Sequence, residues 1–223
     1  MALVLNIETA TTNCSVSLSK DGEILVLKED NSLNYSHAET LHVFIKEVFE
    51  VAKIKPEEID AVAVSKGPGS YTGLRIGVSS AKGLCFALNK PLISVSTLES
   101  LAHQVNTEQG YIVSMLDARR MEVYSAILTN EYGMFREVKA EVLSEDSYAD
   151  LLKEGKVYFV GNGVEKTKQL IDHPNAIFVE GKLPSAREMA VLSNLKYKKS
   201  DIEDVAYFEP FYLKDFIAIK KKN

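Results

Sequence analysis

The chain of 223 residues is 46% hydrophobic and 26% charged, enough for one large domain or two smaller lobes with real cores. Its net charge of −5 speaks against nucleic-acid binding by this chain alone, because phosphate contacts need a basic surface. The basic stretches "KYKK" (Lys196–Lys199) and "KKKN" (Lys220–Asn223) read as solvated surface and tail.

"LVLNI" (Leu3–Ile7) reads as a buried strand ending at Glu8. "CSVSLS" alternates, with Cys14, Val16 and Leu18 on one face, "KDGE" signals a hairpin, and "ILVL" (Ile24–Leu27) returns as a third strand. Ser36 and Glu39 form a capping box that opens a helix burying Leu41, Phe44, Ile45, Val48, Phe49 and Ala52 at spacings of three and four. After Pro56, "IDAVAVS" (Ile59–Ser65) is a strand that "GPGSYTG" turns into a second helix. The later residues repeat this grammar. "YIVSML" ends at Asp117, "MEVYSAIL" (Met121–Leu128) and "MFREVKAEV" are strands, Ser144–Lys153 is helical, and "KVYFV" (Lys156–Val160) leads through "GNG" into another helix. Glu8 matches Asp117, and Gly67-x-Gly69 matches Gly161-x-Gly163. The pattern predicts a duplicated α/β fold: a first lobe over residues 1–106, a second over 107–223 with a terminal helix and tail, and a groove between them where ligands of open α/β sheets sit.

The two cysteines, Cys14 and Cys85, lack CxxC spacing, which excludes a disulfide framework and a Cys-based zinc site; they read as small buried hydrophobes in a reduced compartment. "MALVLNIETA" has no basic region and too short an apolar run for a signal peptide, and no stretch approaches the roughly 18 apolar residues that span a bilayer. A soluble, cytoplasmic protein is expected.

In "GPGSYTGLR" (Gly67–Arg75), Gly67, Gly69 and Gly73 allow close backbone approach, and Ser70 or Thr72 supplies a helix cap or a phosphate contact. A Walker lysine is missing and the spacing departs from GxGxxG, so phosphate loop and structural turn both remain open. The following helix carries an apolar stripe (Leu74, Val78, Ala81, Cys85, Leu88) beside a strip of small residues (Gly73, Gly77, Ser80, Gly83, Ala87). Interior glycine costs roughly 1 kcal/mol against alanine, so the strip needs a use, either close packing within the chain or contact with another subunit.

The block from Gly67 to Ala102, with "LNIETATTNCSVSL", "DARRMEVYSA" and "EPFYL" (Glu209–Leu213) in order, resembles the TsaB family, also called YeaZ, along essentially the whole chain. The resemblance implies a shortened member of the actin, sugar-kinase and heat-shock ATPase superfold, built on ribonuclease H-like lobes. It implies a non-catalytic subunit that pairs with a larger, metal-holding paralogue, TsaD, which transfers threonylcarbamoyl to an adenosine beside the tRNA anticodon, with a small ATPase, TsaE. The first-lobe helices, 36–52 and 72–88, then form the contact with TsaD, or a homodimer in its absence, through Val43, Glu47, Gly73, Gly77, Ser80, Gly83 and Ala87. No cofactor is firmly implied, only weak ATP or ADP binding at a degenerate site of Glu8, Gly67, Gly69, Ser70, Thr72 and Asp117. The family usually has Asp where this chain has Glu8, and the longer side chain displaces the carboxylate that would organise a metal.

No metal site is expected: His37 and His42 are five apart and do not share a helix face, His103 and His173 are isolated, and the paralogue's metal histidines have no counterpart after Gly83. All four histidines read as surface or capping residues. Arg119 and Arg120 in "DARRME" are either part of a salt-bridged turn or contacts to a partner or tRNA phosphate. The competing reading, an independent ATP-dependent kinase of the same fold, suffers from the roughly 60 residues left after Gly163, short against a typical domain.

Overall fold

The computed structural model describes residues 1–31 and 37–214. Ser36, the expected helix cap, and the basic tail Lys220–Asn223 lie outside the described residues.

Strands β1 (Leu3–Glu8), β2 (Cys14–Lys20) and β3 (Glu23–Asp30) precede helix α1 (His37–Ala52), followed by β4 (Ala61–Gly67), α2 (Tyr71–Leu88), β5 (Leu92–Ser96) and α3 (Thr97–Ala102). The five strands form one sheet in the order β3-β2-β1-β4-β5. A second sheet holds β6 (Tyr111–Asp117), β7 (Glu122–Thr129), β8 (Met134–Val142), β9 (Val157–Val160) and β10 (Ala176–Val179), in the order β10-β9-β6-β7-β8. In each sheet the first strand runs antiparallel to the second and parallel to the fourth. The duplication is thus one topology used twice, as the repeated sequence grammar predicts. Gly67 and Gly161 end the fourth strand of each repeat with φ near +110° (+109° and +113°), which favours glycine.

Helices α4 (Ala149–Glu154) and α5 (Val164–Lys168) are short. The helix expected from Ser144 starts later, because Ser144–Ser147 closes a turn and Tyr148 takes a left-handed φ of +62°. The last helix, α6 (Ala186–Lys198), was expected to belong with the second lobe, but it packs its Ala186, Met189 and Leu192 on Val4, Ala61, Ala63 and Val95 of the first sheet. Conversely, Leu98, Leu101 and Ala102 of α3 pack on Ile112, Leu116, Ala126 and Leu128 of the second sheet. The spatial layers therefore cross the sequence division at residue 106.

This crossing explains β2. Its Cys14, Val16 and Leu18 meet the core beneath α1 and α2, as the alternation predicts. Its Ser15, Ser17 and Ser19, on the other face, are fully buried under α6. They are tolerated because each is hydrogen-bonded. The Ala186 amide donates to Ser15 Oγ (2.7 Å), Ser17 Oγ donates to the Ala186 carbonyl (2.8 Å), and Asn6 Nδ2 donates to Ser17 Oγ (3.2 Å) and Ser19 Oγ (3.0 Å). Ser193 of α6 completes the network by donating to Asn6 Oδ1 at 2.6 Å.

Both cysteines are free and buried, and burial pushes their thiols up to about 11 for Cys14 and about 12 for Cys85. Among the described residues no helix is long and apolar enough to cross a membrane.

Asn6→Ala should cost about 1–3 kcal/mol, because it removes three buried hydrogen bonds at once. Urea unfolding checks this: the midpoint falls while the slope stays constant.

Candidate functional site: the interlobe cleft and the outer helix face

A cleft of about 640 Å³ opens between the two sheets. Ala10–Thr12 and Pro68–Thr72 line it from the first lobe, Leu116–Arg119, Tyr124 and Asn162 from the second, and Phe211–Lys214 from the end of the described chain. Gly69, Ser70, Thr72 and Asp117, four of the six residues expected at a degenerate phosphate site, do line this cleft.

Glu8 and Gly67 do not. The Glu8 side chain projects to the α6 side of the sheet, like Asn6 two residues earlier, and is fully buried. The Ala10 amide (2.6 Å) and Ser65 hydroxyl (2.8 Å) both donate to its Oε1, while Oε2 has no partner among the described residues. Burial pushes its carboxyl up to about 7, with these hydrogen bonds pulling partly back. Gly67 faces the chain's own end: a Cβ there would lie 2.7 Å from the Phe211 carbonyl oxygen.

The glycines of the turn serve contact with the Thr9–Ala10 loop. A Cβ at Gly69 would stand 2.5 Å from the Ala10 carbonyl oxygen, and one at Gly73 would stand 2.1 Å from that of Thr9. The Ser70 amide donates to the Ala10 carbonyl (2.7 Å), and Thr9 Oγ1 donates to the Gly73 carbonyl (2.8 Å). Ser70 is the cap of α2, accepting from the Gly73 amide at 3.3 Å, which leaves Thr72 exposed in the cleft. His37, expected as a surface or capping residue, is buried and donates through Nε2 to the Thr11 carbonyl at 2.6 Å.

On the opposite wall Asp117 accepts from Lys166 Nζ at 2.8 Å and from the Arg119 amide at 2.6 Å. Lys166 also donates to the carbonyls of Arg120 (2.7 Å) and Glu122 (3.1 Å). One ammonium thereby holds a loop in which Arg119 and Arg120 both take positive φ, +70° and +50°, and leaves both guanidinium groups exposed. Lys166 is 49 residues from Asp117, and nothing local in the sequence pairs them.

The expected partner strip divides. A Cβ at Gly77 would sit 2.3 Å from Thr9 Oγ1, so Gly73 and Gly77 are spent on packing inside the chain and present nothing to a partner. Ser80 approaches His42 Nε2 at 3.5 Å, and Glu47 pairs with Lys28 at 2.9 Å. Gly83 and Ala87 are exposed, and nothing lies within 4 Å of where a Gly83 side chain would begin. Phe86 was not singled out, yet it is 87% exposed on the same helix; its place off the stripe of Leu74, Val78, Ala81, Cys85 and Leu88 was the available signal. On α1, Val43 and Val51 are exposed as well. Among the described residues no three His, Cys, Asp or Glu side chains gather to hold a metal ion.

The family model of TsaD, tRNA N6-adenosine threonylcarbamoyltransferase, matches residues 32–222. The chain is 29% identical to the Escherichia coli tRNA threonylcarbamoyladenosine biosynthesis protein TsaB, covering 98% of this chain and 97% of that protein. A solved structure of YeaZ from Pseudomonas aeruginosa superimposes with a TM-score of 0.82 at 26% identity, over 96% of this chain and all of that one. The chain belongs to the TsaB/YeaZ family. The tRNA N6-adenosine threonylcarbamoyltransferase of Staphylococcus epidermidis is 37% identical over 122 residues, but this covers 36% of that enzyme and 48% of this chain. The resemblance to TsaB, by contrast, is end to end.

Two measurements follow from this geometry. The folded chain holds the Glu8 proton to about pH 7, whereas an unfolded carboxyl releases it near 4.5, so stability falls as pH rises between these values and then levels off. Glu8→Gln should abolish that decline and leave the variant more stable than the parent above pH 7 by up to about 3 kcal/mol, read as melting temperature against pH. Gly73→Ala should destabilise by about 1–3 kcal/mol through its clash with Thr9, despite better helix propensity. Gly83→Ala, in open space on the same helix, should stabilise by up to about 1 kcal/mol.

Proposed function

We propose that this chain is an accessory, non-catalytic subunit in the synthesis of threonylcarbamoyladenosine in tRNA, acting by pairing with the larger TsaD-type transferase. The observation that carries this reading is the outer face of α1 and α2. There Phe86 is exposed on α2, three residues from the bare backbone of Gly83, and Val43 is exposed on α1, on a chain with end-to-end similarity to TsaB. An aromatic standing almost wholly in water is costly for a solitary chain and suits the centre of an interface. The same face would pair two copies when the transferase is absent, and a TsaE-type ATPase and tRNA would complete the assembly.

A kinase of the same fold is not favoured. The carboxylate that would organise phosphate and metal is buried away from the cleft, and the Ser70 amide already donates to Ala10. Binding of ATP or ADP by the isolated chain is accordingly weak in this reading. Arg119, which lines the cleft, and its neighbour Arg120 are both exposed and are the groups best placed to meet an RNA phosphate within the assembly.

Reconstitution tests the proposal. The transferase, ATPase, tRNA and threonylcarbamoyl-adenylate are combined with and without this chain, and modified adenosine is quantified. Product should depend on the chain, and the chain alone should turn over no ATP; undiminished product in its absence, or phosphotransfer by the chain itself, overturns the reading. Phe86→Asp and Gly83→Arg should each leave the isolated chain folded, Gly83→Arg with a melting temperature at or slightly above the parental one. Both should weaken transferase binding at least tenfold by titration calorimetry.

A further inference from the structure

The end of the described chain runs over the mouth of the cleft, and its fastening is uneven. On the first lobe it is held repeatedly. The Glu203 amide donates to the Leu92 carbonyl at 2.8 Å, Lys82 Nζ on α2 donates to the carbonyls of Ala206 (3.1 Å) and Phe208 (3.0 Å), and the Phe211 amide donates to the Lys66 carbonyl at 2.7 Å. Gly67 has no side chain where the Phe211 carbonyl passes. Tyr212 then lies against Tyr71, ring centroids 4.8 Å apart, with the Arg75 guanidinium 5.3 Å from the Tyr71 ring. On the second lobe, among the described residues, it is tied by the ion pair of Lys214 Nζ with Glu122, the lysine side chain 45% exposed.

A segment anchored by backbone hydrogen bonds on one side of a cleft, and by a water-accessible ion pair on the other, is a latch. We propose that Glu209–Lys214 is a reversible lid on the interlobe cleft. It is permanently seated on the first lobe, and it closes onto the second through Lys214 and Glu122. Closed, it places Tyr212 and Phe211 in the wall of the cleft and excludes any other occupant from that side; open, it uncovers Tyr124, which is half-buried in the closed form. The lid is independent of the subunit role proposed above, since it acts within one chain.

Three features make this testable. The chain contains no tryptophan, so Tyr124→Trp on the second-lobe wall is a unique fluorescent reporter in the full-length protein. Exposed ion pairs are screened by salt, so 1 M NaCl should open the lid, whereas a lid held by packing alone would not respond. In the reporter background, Glu122→Gln should raise acrylamide quenching at least twofold at low salt and remove its salt dependence. Glu122→Lys should do the same, and Glu122→Lys combined with Lys214→Glu should restore the parental value. Quenching that is unchanged by salt and by both Glu122 variants, or a charge swap that fails to restore protection in a chain with parental melting temperature, would overturn the lid. Tyr212→Ala guards against a failed fold: it removes the wall without touching the ion pair and should raise quenching in every salt.

Discussion

The arrangement depends on one close approach, that of the Thr9–Ala10 loop to the turn that opens α2. Backbone meets backbone there, with the Ser70 amide donating to the Ala10 carbonyl and Thr9 Oγ1 donating to the Gly73 carbonyl. Gly69, Gly73 and Gly77 are needed because a methyl group at any of them would lie within about 2.5 Å of Thr9 or Ala10 atoms. A carbonyl oxygen, the wrong partner for an anion, thus faces the turn where a phosphate loop would present its amides. The same contact sets the start and tilt of α2, and hence what α2 presents outward.

The helices interlock the two lobes. α3 follows the first sheet in sequence and fills a face of the second, while α6 follows the second sheet and covers the first. Neither sheet has its core completed by its own sequence neighbours alone, so the lobes do not behave as two independent beads. The interface under α6 is polar and tied by a hydrogen-bond network through Ser15, Ser17, Ser19, Asn6 and Ser193, and such a network rewards one register of the helix over others.

The burial of Glu8 follows from this layering. With α6 laid over the first sheet, the strand position ending β1 lies beneath a helix and not at the cleft, and the carboxyl is kept near neutrality. Asp117, at the matching position of the second repeat, stays exposed and is held by Lys166. One topology used twice therefore places the same kind of acid in two unlike environments, and the acid facing the cleft is engaged with the loop that carries Arg119 and Arg120.

The sequence by itself determined all the strands but β5 and β10, the duplication, the groove and the existence of α1 and α2, because these follow from hydrophobic period, turn residues and length. Its motif similarity pointed to the TsaB family, and the end-to-end likeness bears that out. Only the tertiary structure decided what stands opposite the small residues of α2: Thr9 against Gly73 and Gly77, and, among the described residues, nothing within 4 Å of Gly83, since periodicity gives an element's faces without saying what meets them. It alone also decided that the serines of β2 are buried, that Glu8 turns away from the cleft, that Lys166 meets Asp117, and that Phe211–Lys214 return to the cleft. Each of these rests on contacts between residues distant in the chain. Local pattern reports the shape of an element and its apolar side, whereas the partner brought to its polar side is set by how the layers cross.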